Sequence, residues 1–204
     1  MVKIFCVNTQ TSKTFPEGTT LMDMLPSFDF ERPYPILCAK VNNVSQGLKY
    51  RAFNSRKVEF HDYTSYLGRS VYCNSLCFLL CKAAKDVFPD CRVILRRPIS
   101  KGYFCSIDKG DGAELSISDL DMIKRRMLEL VEADIPFRRH EVLLDEAIEL
   151  FRSLGYEDKV KLLETSGDVY VNYYTLEDTP DYYYDALLSS TGNLKVWSLE
   201  MYRD

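Results

Sequence analysis

The feature that most constrains this chain is a change of period near Tyr66. Upstream, apolar residues alternate: Val2, Ile4 and Cys6 are separated by Lys3 and Phe5. Downstream, Cys73, Cys77, Leu80, Ala84 and Val87 recur every three or four residues until Pro89. A period of two lines one face of a strand, and a period near 3.6 lines one stripe of a helix. Separate stretches of each kind imply an α+β fold in two units, 1–62 and 68–204, with a boundary near His61–Gly68.

In the first unit, Val2–Val7 and Lys13–Phe15 read as a hairpin around the polar segment Asn8–Ser12. Pro16-Glu17-Gly18 breaks the chain, and Thr19 or Thr20 can cap a short helix, Leu21–Leu25, that Pro26 stops. Ile36–Val41 and Arg56–Phe60 read as strands, with Asn42-Asn43 turning the chain after the first. The order implies a small mixed sheet with one helix across it.

In the second unit, Val71–Val87 reads as a helix, and Arg92–Leu95 and Tyr103–Ile107 as strands. Ser116-Ile117-Ser118-Asp119 is a capping box opening a helix with Leu120, Ile123, Met127, Leu130 and Val131 on one face. Asp145–Leu154 and Lys159–Leu163 read as helices, and Val169–Thr175 and Leu194–Leu199 as strands.

Composition narrows the function classes. At 204 residues, 46% hydrophobic and 27% charged, the chain can bury a sizeable core and is not a disordered polymer. Its longest apolar stretch, around Leu76–Leu80, is far short of the ~20 residues that span a bilayer. The N-terminus lacks an export signal, so no membrane partner is expected. Seven cysteines, an odd number without a regular framework, suit reduced thiols in a cytoplasm. A net charge of −4 leaves room for RNA contact only through a local patch.

Standard catalytic patterns are missing. No glycines stand five apart before a Lys, so there is no P-loop, and none stand four apart around a Ser. His61 and His140 are the only histidines, too far apart to form a helical zinc pair, and both read as ordinary boundary or surface residues, His140 before a helix. Cys73, Cys77 and Cys81 share one helical face. They could bind zinc as thiolates or pack as small hydrophobes; no fourth ligand stands out, so no metal is expected. The tyrosines, 14 in all, could stack on bases or pack along strand faces.

Phe15-Pro16-Glu17-Gly18-Thr19-Thr20-Leu21 followed by Ala39-Lys40-Val41-Asn42 resembles the TGS domain, a ubiquitin-like β-grasp module at the N-terminus of threonyl-tRNA synthetase. Residues 68–204 resemble the next domain of that enzyme, which edits misacylated tRNA. The matching residues are Leu79-Leu80, Phe88-Pro89-Asp90, Pro98-Ile99 with Gly102-Tyr103-Phe104, Asp119-Leu120 with Ile123, and Ser190-Thr191-Gly192. Together the two resemblances span almost the whole chain and imply a β-grasp unit followed by an editing-like α+β unit.

The resemblance also implies a lost active site. The family's HxxxH falls on Asn74 and Phe78. Its Asp-x-Cys-x-x-x-His falls on Asp181, Tyr183 and Leu187. Only the Asp remains, so no catalytic residue is expected. Asp181, beside Pro180, could be a surviving acid or a local turn acceptor. Phe78 and Tyr183 are expected to fill the abandoned cleft with help from Leu187, leaving Asn74 to hydrogen-bond locally.

The same two modules precede a P-loop kinase domain in bacterial uridine kinase-like proteins, and the degenerate motifs resemble that group. On this reading the chain is a non-catalytic regulatory or RNA- or ligand-sensing region. Its partner would be its own C-terminal kinase domain, which would phosphorylate uridine with ATP and Mg, and Arg203-Asp204 would fall inside a longer protein. This fragment itself would need no cofactor. The alternative is a stand-alone tRNA-binding adaptor or degenerate trans-editing module related to threonyl-tRNA synthetase. In either case Arg96, Arg97 and Lys101, and on a helix Lys124, Arg125 and Arg126, are the candidates for RNA contact.

Overall fold

A computed structural model of the chain describes residues 1–99 and 102–202. The first unit runs β1 (Val2–Cys6), β2 (Thr11–Phe15), β3 (Thr19–Thr20), α1 (Leu21–Met24), β4 (Ile36–Val41), β5 (Val44–Gly47), β6 (Arg51–Ala52) and β7 (Arg56–Asp62). Five strands form a mixed sheet in the order β2-β1-β7-β4-β5. The central β1–β7 pair is parallel, with Ile4 opposite Arg56 and Cys6 opposite Val58; the other neighbours are antiparallel.

The alternation in β1 puts Val2, Ile4 and Cys6 on one face, packed with Leu21, Met24 and Phe28. Thr20 is the cap that starts α1: its Oγ1 accepts from the Asp23 N–H at 3.2 Å. A 3₁₀ turn, Leu25–Ser27, takes over at Pro26. Asn42 and Asn43 adopt left-handed φ of 48° and 69°, closing the β4–β5 hairpin in two residues.

The other face of this sheet is partly a wall of the second unit. Adjacent residues of β4 point opposite ways, and both are buried. Ala39 packs in the first core, and Cys38 packs with Val71, Leu79, Leu187 and Leu188 in the second.

The second unit runs α2 (Tyr66–Val87), β8 (Arg92–Ile99), β9 (Gly102–Asp108), α3 (Ile117–Glu132), β10 (Arg138–Leu143), α4 (Leu144–Ser153), α5 (Glu157–Glu164), β11 (Tyr170–Leu176) and β12 (Thr179–Asp181). Helix α2 starts five residues before its apolar period does. Ser65 explains this: its Oγ accepts from the Gly68 N–H at 3.0 Å, and the first turn needs no apolar stripe. Packed against β4, α3, β8 and β11, α2 buries residues on several sides. The α3 capping box is complete, with the Asp119 N–H 3.1 Å from Ser116 Oγ and the Ser116 N–H 2.9 Å from Asp119 Oδ2.

Three expectations need correction. Leu194–Leu199 forms no strand. Leu194 enters the core, while Val196 is held by the Tyr72 hydroxyl, which accepts from its N–H at 2.9 Å and donates to its carbonyl at 3.0 Å. A side chain thus supplies the partners that a strand edge would have supplied. His140 lies within a strand, because the charged segment β10 pairs with β11, with His140 opposite Tyr173. Asp181 sits in β12 opposite Tyr174 rather than in a turn.

Candidate functional site

Asn74 and Phe78 lie one turn apart on α2, and the chain after β12 brings Tyr183 and Leu187 to the same helix. Phe78 is fully buried. Its ring centroid lies 5.6 Å from that of Tyr183, tilted by 37°, and 5.8 Å from that of Phe137, tilted by 34°. Leu187 is buried in the same cluster. Three rings and a leucine thus occupy the space between α2 and the segment after β12.

The Tyr183 ring is half-buried, but its hydroxyl is wholly buried and has no hydrogen-bond partner among the described residues. Burial, then the nearby Cys81 and Cys77 thiols, pushes its ionisation well above the ordinary phenol value. Burial likewise pushes the Cys77 and Cys81 thiols up to about 12, so both stay protonated near neutrality. Among the described residues, no group of three or more His, Cys, Asp or Glu is placed to hold a metal. The half-buried Asn74 side chain makes no hydrogen bond among the described residues, contrary to the expected local bond; it keeps some access to water instead.

Asp181 is 7% exposed and paired. Its Oδ1 contacts Lys159 Nζ of α5 and accepts from the Tyr182 N–H at 2.7 Å. Burial, the largest cause, lowers Lys159 to about 8; the Asp181 carboxylate in contact favours the charged ammonium and works against that shift. Asp181 is therefore a partnered carboxylate, with neither a free thiolate nor an imidazole assigned to work beside it. Lys159, which completes the pair, was not legible in the sequence.

The histidines stand elsewhere. His140 Nε2 lies 2.9 Å from Thr175 Oγ1, with its ring stacked 4.9 Å from Tyr173. His61 lies in β7, 3.8 Å from Glu59, and burial lowers its pKa.

Except for Lys101, which lies outside the described residues, the candidate RNA-contact residues fall on two elements that both pack on α2. Arg96 on β8 donates to Ser106 Oγ at 3.1 Å. Lys101 and the Arg97 side chain lie outside what is described. On α3, Lys124 is 3.9 Å from Asp121, and Arg125 forms no ion pair among the described residues. Arg126 is tied down, at 2.8 Å from Asp86, 3.0 Å from Glu129 and 3.8 Å from Glu177.

Arg126 shares Asp86 and Glu177 with Lys82, only 4% exposed, whose Nζ lies 2.7 Å from Asp178, 2.9 Å from Asp86 and 3.3 Å from Glu177. Burial works against the Lys82 charge, but these hydrogen bonds outweigh it and hold the ammonium up to about 12. The network fastens α2, α3 and the β11–β12 turn together.

The Ser190-Thr191-Gly192 segment is a structural clasp. Thr191 Oγ1 donates to the Leu130 carbonyl at 2.5 Å and accepts from the Ile135 N–H at 2.8 Å, tying down the end of α3. The Gly192 N–H donates to Asp134 Oδ1 at 3.1 Å, and a Cβ at Gly192 would collide with that carboxylate.

Comparison with known proteins gives a consistent likeness. No family model matches the chain. It is 31% identical over 188 residues to the threonine–tRNA ligase of Syntrophotalea carbinolica, covering 92% of this chain and 29% of the ligase. The ligase of Azobacteroides pseudotrichonymphae is 26% identical over 199 residues, covering 98% and 31%, and that of Desulforamulus reducens is 27% identical over 188 residues, covering 92% and 29%. The chain is therefore threonyl-tRNA synthetase-like over most of its length, while spanning only about three-tenths of these relatives. Among the described residues, no helix is long and apolar enough to cross a membrane.

Proposed function

We propose that the chain is a tRNA-synthetase-related recognition module that binds tRNA without hydrolysing it. The observation that carries this reading is the filled cleft. At the positions matching the editing motifs, Phe78, Tyr183 and Leu187 pack together and Asp181 is paired with Lys159. Hydrolysis needs a base or nucleophile that can act near neutrality, and Phe78, Tyr183 and Leu187 supply none where the editing motifs place theirs. The mixed sheet with its central parallel pair and crossing helix supports reading the first unit as a TGS-type β-grasp.

Filter binding of labelled threonine tRNA across a salt series tests the proposal. Saturable binding that weakens with salt is expected, with a shallower slope in Lys124→Ala and Arg125→Ala. Equal retention of tRNA and an unrelated anionic polymer, or no retention, would remove the tRNA reading. The replaced motifs also favour a second reading, in which the same module regulates an attached uridine kinase-like domain using ATP and Mg. Uridine phosphorylation by the longer gene product, altered when residues 1–204 are deleted, would support it.

A further inference from the structure

We propose that a cavity between the two units binds a nucleoside monophosphate. The cavity has a volume of about 570 Å³, within the range of about 300–1,000 Å³ usual for small-molecule sites. Residues 46–50, at the end of β5 and just after it, form one wall, and Phe137–His140 with Tyr174 form another. The units approach closely at its rim, where a Cβ on Gly47 would stand 3.3 Å from the Leu187 carbonyl.

Its charge runs against that of the chain. The protein carries −4, yet Lys49, Arg138 and Arg139 line the cavity and no Asp or Glu does among the described residues. Arg139 is the most informative. Its guanidinium donates at 2.5 Å to Gln46 Oε1 and at 2.9 Å to Asn172 Oδ1. Gln46 is only 8% exposed, so a buried amide from the first unit fixes a cation of the second. Both acceptors are neutral. Among the described residues the guanidinium has no carboxylate within ion-pair distance, unlike Arg126 or Lys82 in their carboxylate network. A held fork of N–H donors paired only with neutral acceptors suits a phosphate.

The remaining walls are apolar and aromatic. Phe137 and Tyr174 are buried beneath the cavity, and Tyr50, which also lines it, is half-buried. The Tyr50 ring is placed to take a flat base by stacking, while the cations take its phosphate. Inorganic phosphate would use only half of this lining, and a nucleoside only the other half.

Titration calorimetry on the 204-residue chain with AMP and UMP as probes tests the site. One-to-one binding with Kd of about 10–100 μM is expected. Adenosine and inorganic phosphate should each bind at least about tenfold more weakly. Lys49→Ala and Arg138→Ala remove exposed charges, so each should weaken AMP about tenfold and leave the thermal midpoint unchanged. Arg139→Ala should weaken it further and also lower the midpoint, because Gln46 loses its partner. A hairpin RNA ending in the same nucleotide separates two sources of the ligand: displacement of AMP assigns the nucleotide to an RNA end, and no displacement to the free molecule. The proposal is overturned by no saturable heat with either nucleotide up to about 1 mM, by phosphate alone binding as tightly as AMP, or by unchanged affinity in both surface variants.

Discussion

The rings of Phe78 and Tyr183 meet with their centroids 5.6 Å apart, tilted by 37°. Phe78 also touches Phe137, so removing it opens a void bounded by two aromatic rings. Phe78→Ala should lower stability by about 3–5 kcal/mol, read from the urea midpoint. A loss under about 1 kcal/mol would mean that the cleft collapses freely and is not a packed part of the core.

Tyr183 carries a cost within that packing. Its buried hydroxyl lacks a partner among the described residues, and such a group costs about 1–3 kcal/mol. Tyr183→Phe keeps the ring and removes the orphan. The variant should be more stable by about 1 kcal/mol in the same titration. A clear destabilisation would show that the hydroxyl has a partner, such as a trapped water.

Asp181 and Lys159 form the pair most sensitive to losing one member. Asp181→Asn leaves a half-buried ammonium facing a neutral amide, and should cost about 1–3 kcal/mol. Replacing both by Leu and Met should recover most of that loss, because two desolvated charges disappear together. A double variant as unstable as Asp181→Asn would assign the cost to packing rather than charge.

The fold was legible where one segment carries its own signal. Ser116 and Asp119 are three residues apart, and their reciprocal bonds start α3 as the pattern implies. It was illegible where the partner is distant. Arg138–Leu143 holds too much charge to read as a strand, yet β11 supplies its edge. Leu194–Leu199 alternates like a strand, yet the Tyr72 hydroxyl satisfies Val196. In the site, Phe78, Tyr183 and Leu187 were found through motif positions. Lys159 and Lys82 were not, since Asp181 and Asp178, the carboxylates that pair them, come together with them only in the fold.

Alkaline pH should weaken the fold through the α2 thiols. Cys77 and Cys81 ionise ordinarily at 9.0 and in the fold near about 12, because burial disfavours the thiolate. The unfolded chain therefore gives up these protons first. The stability they contribute is full below pH 9.0, falls as pH rises above it, and is spent once pH passes about 12. Lys82 acts in the same sense at higher pH, its contribution full below 10.5 and lost through about 12. Lys159, lowered to about 8, acts in the opposite sense, so the thiol contribution is read as the difference in urea midpoint, under reducing conditions above about pH 9, between the unmodified protein and a variant without these thiols. Cys77→Ala with Cys81→Ala is that variant, and the difference should move against the unmodified protein as pH rises; a constant difference would place the titrating groups elsewhere.

We propose that this threonyl-tRNA synthetase-like chain does not hydrolyse mischarged tRNA, the space between α2 and the segment after β12 being filled by side chains. The most direct test is a single-turnover assay of the unmodified protein on mischarged threonine tRNA, at saturating protein and neutral pH. The account predicts release of the amino acid at the rate seen in buffer alone, since Phe78, Tyr183 and Leu187 fill the site and Asp181 is held by Lys159. Release well above that rate, abolished by Asp181→Asn in a protein that remains folded, would contradict it.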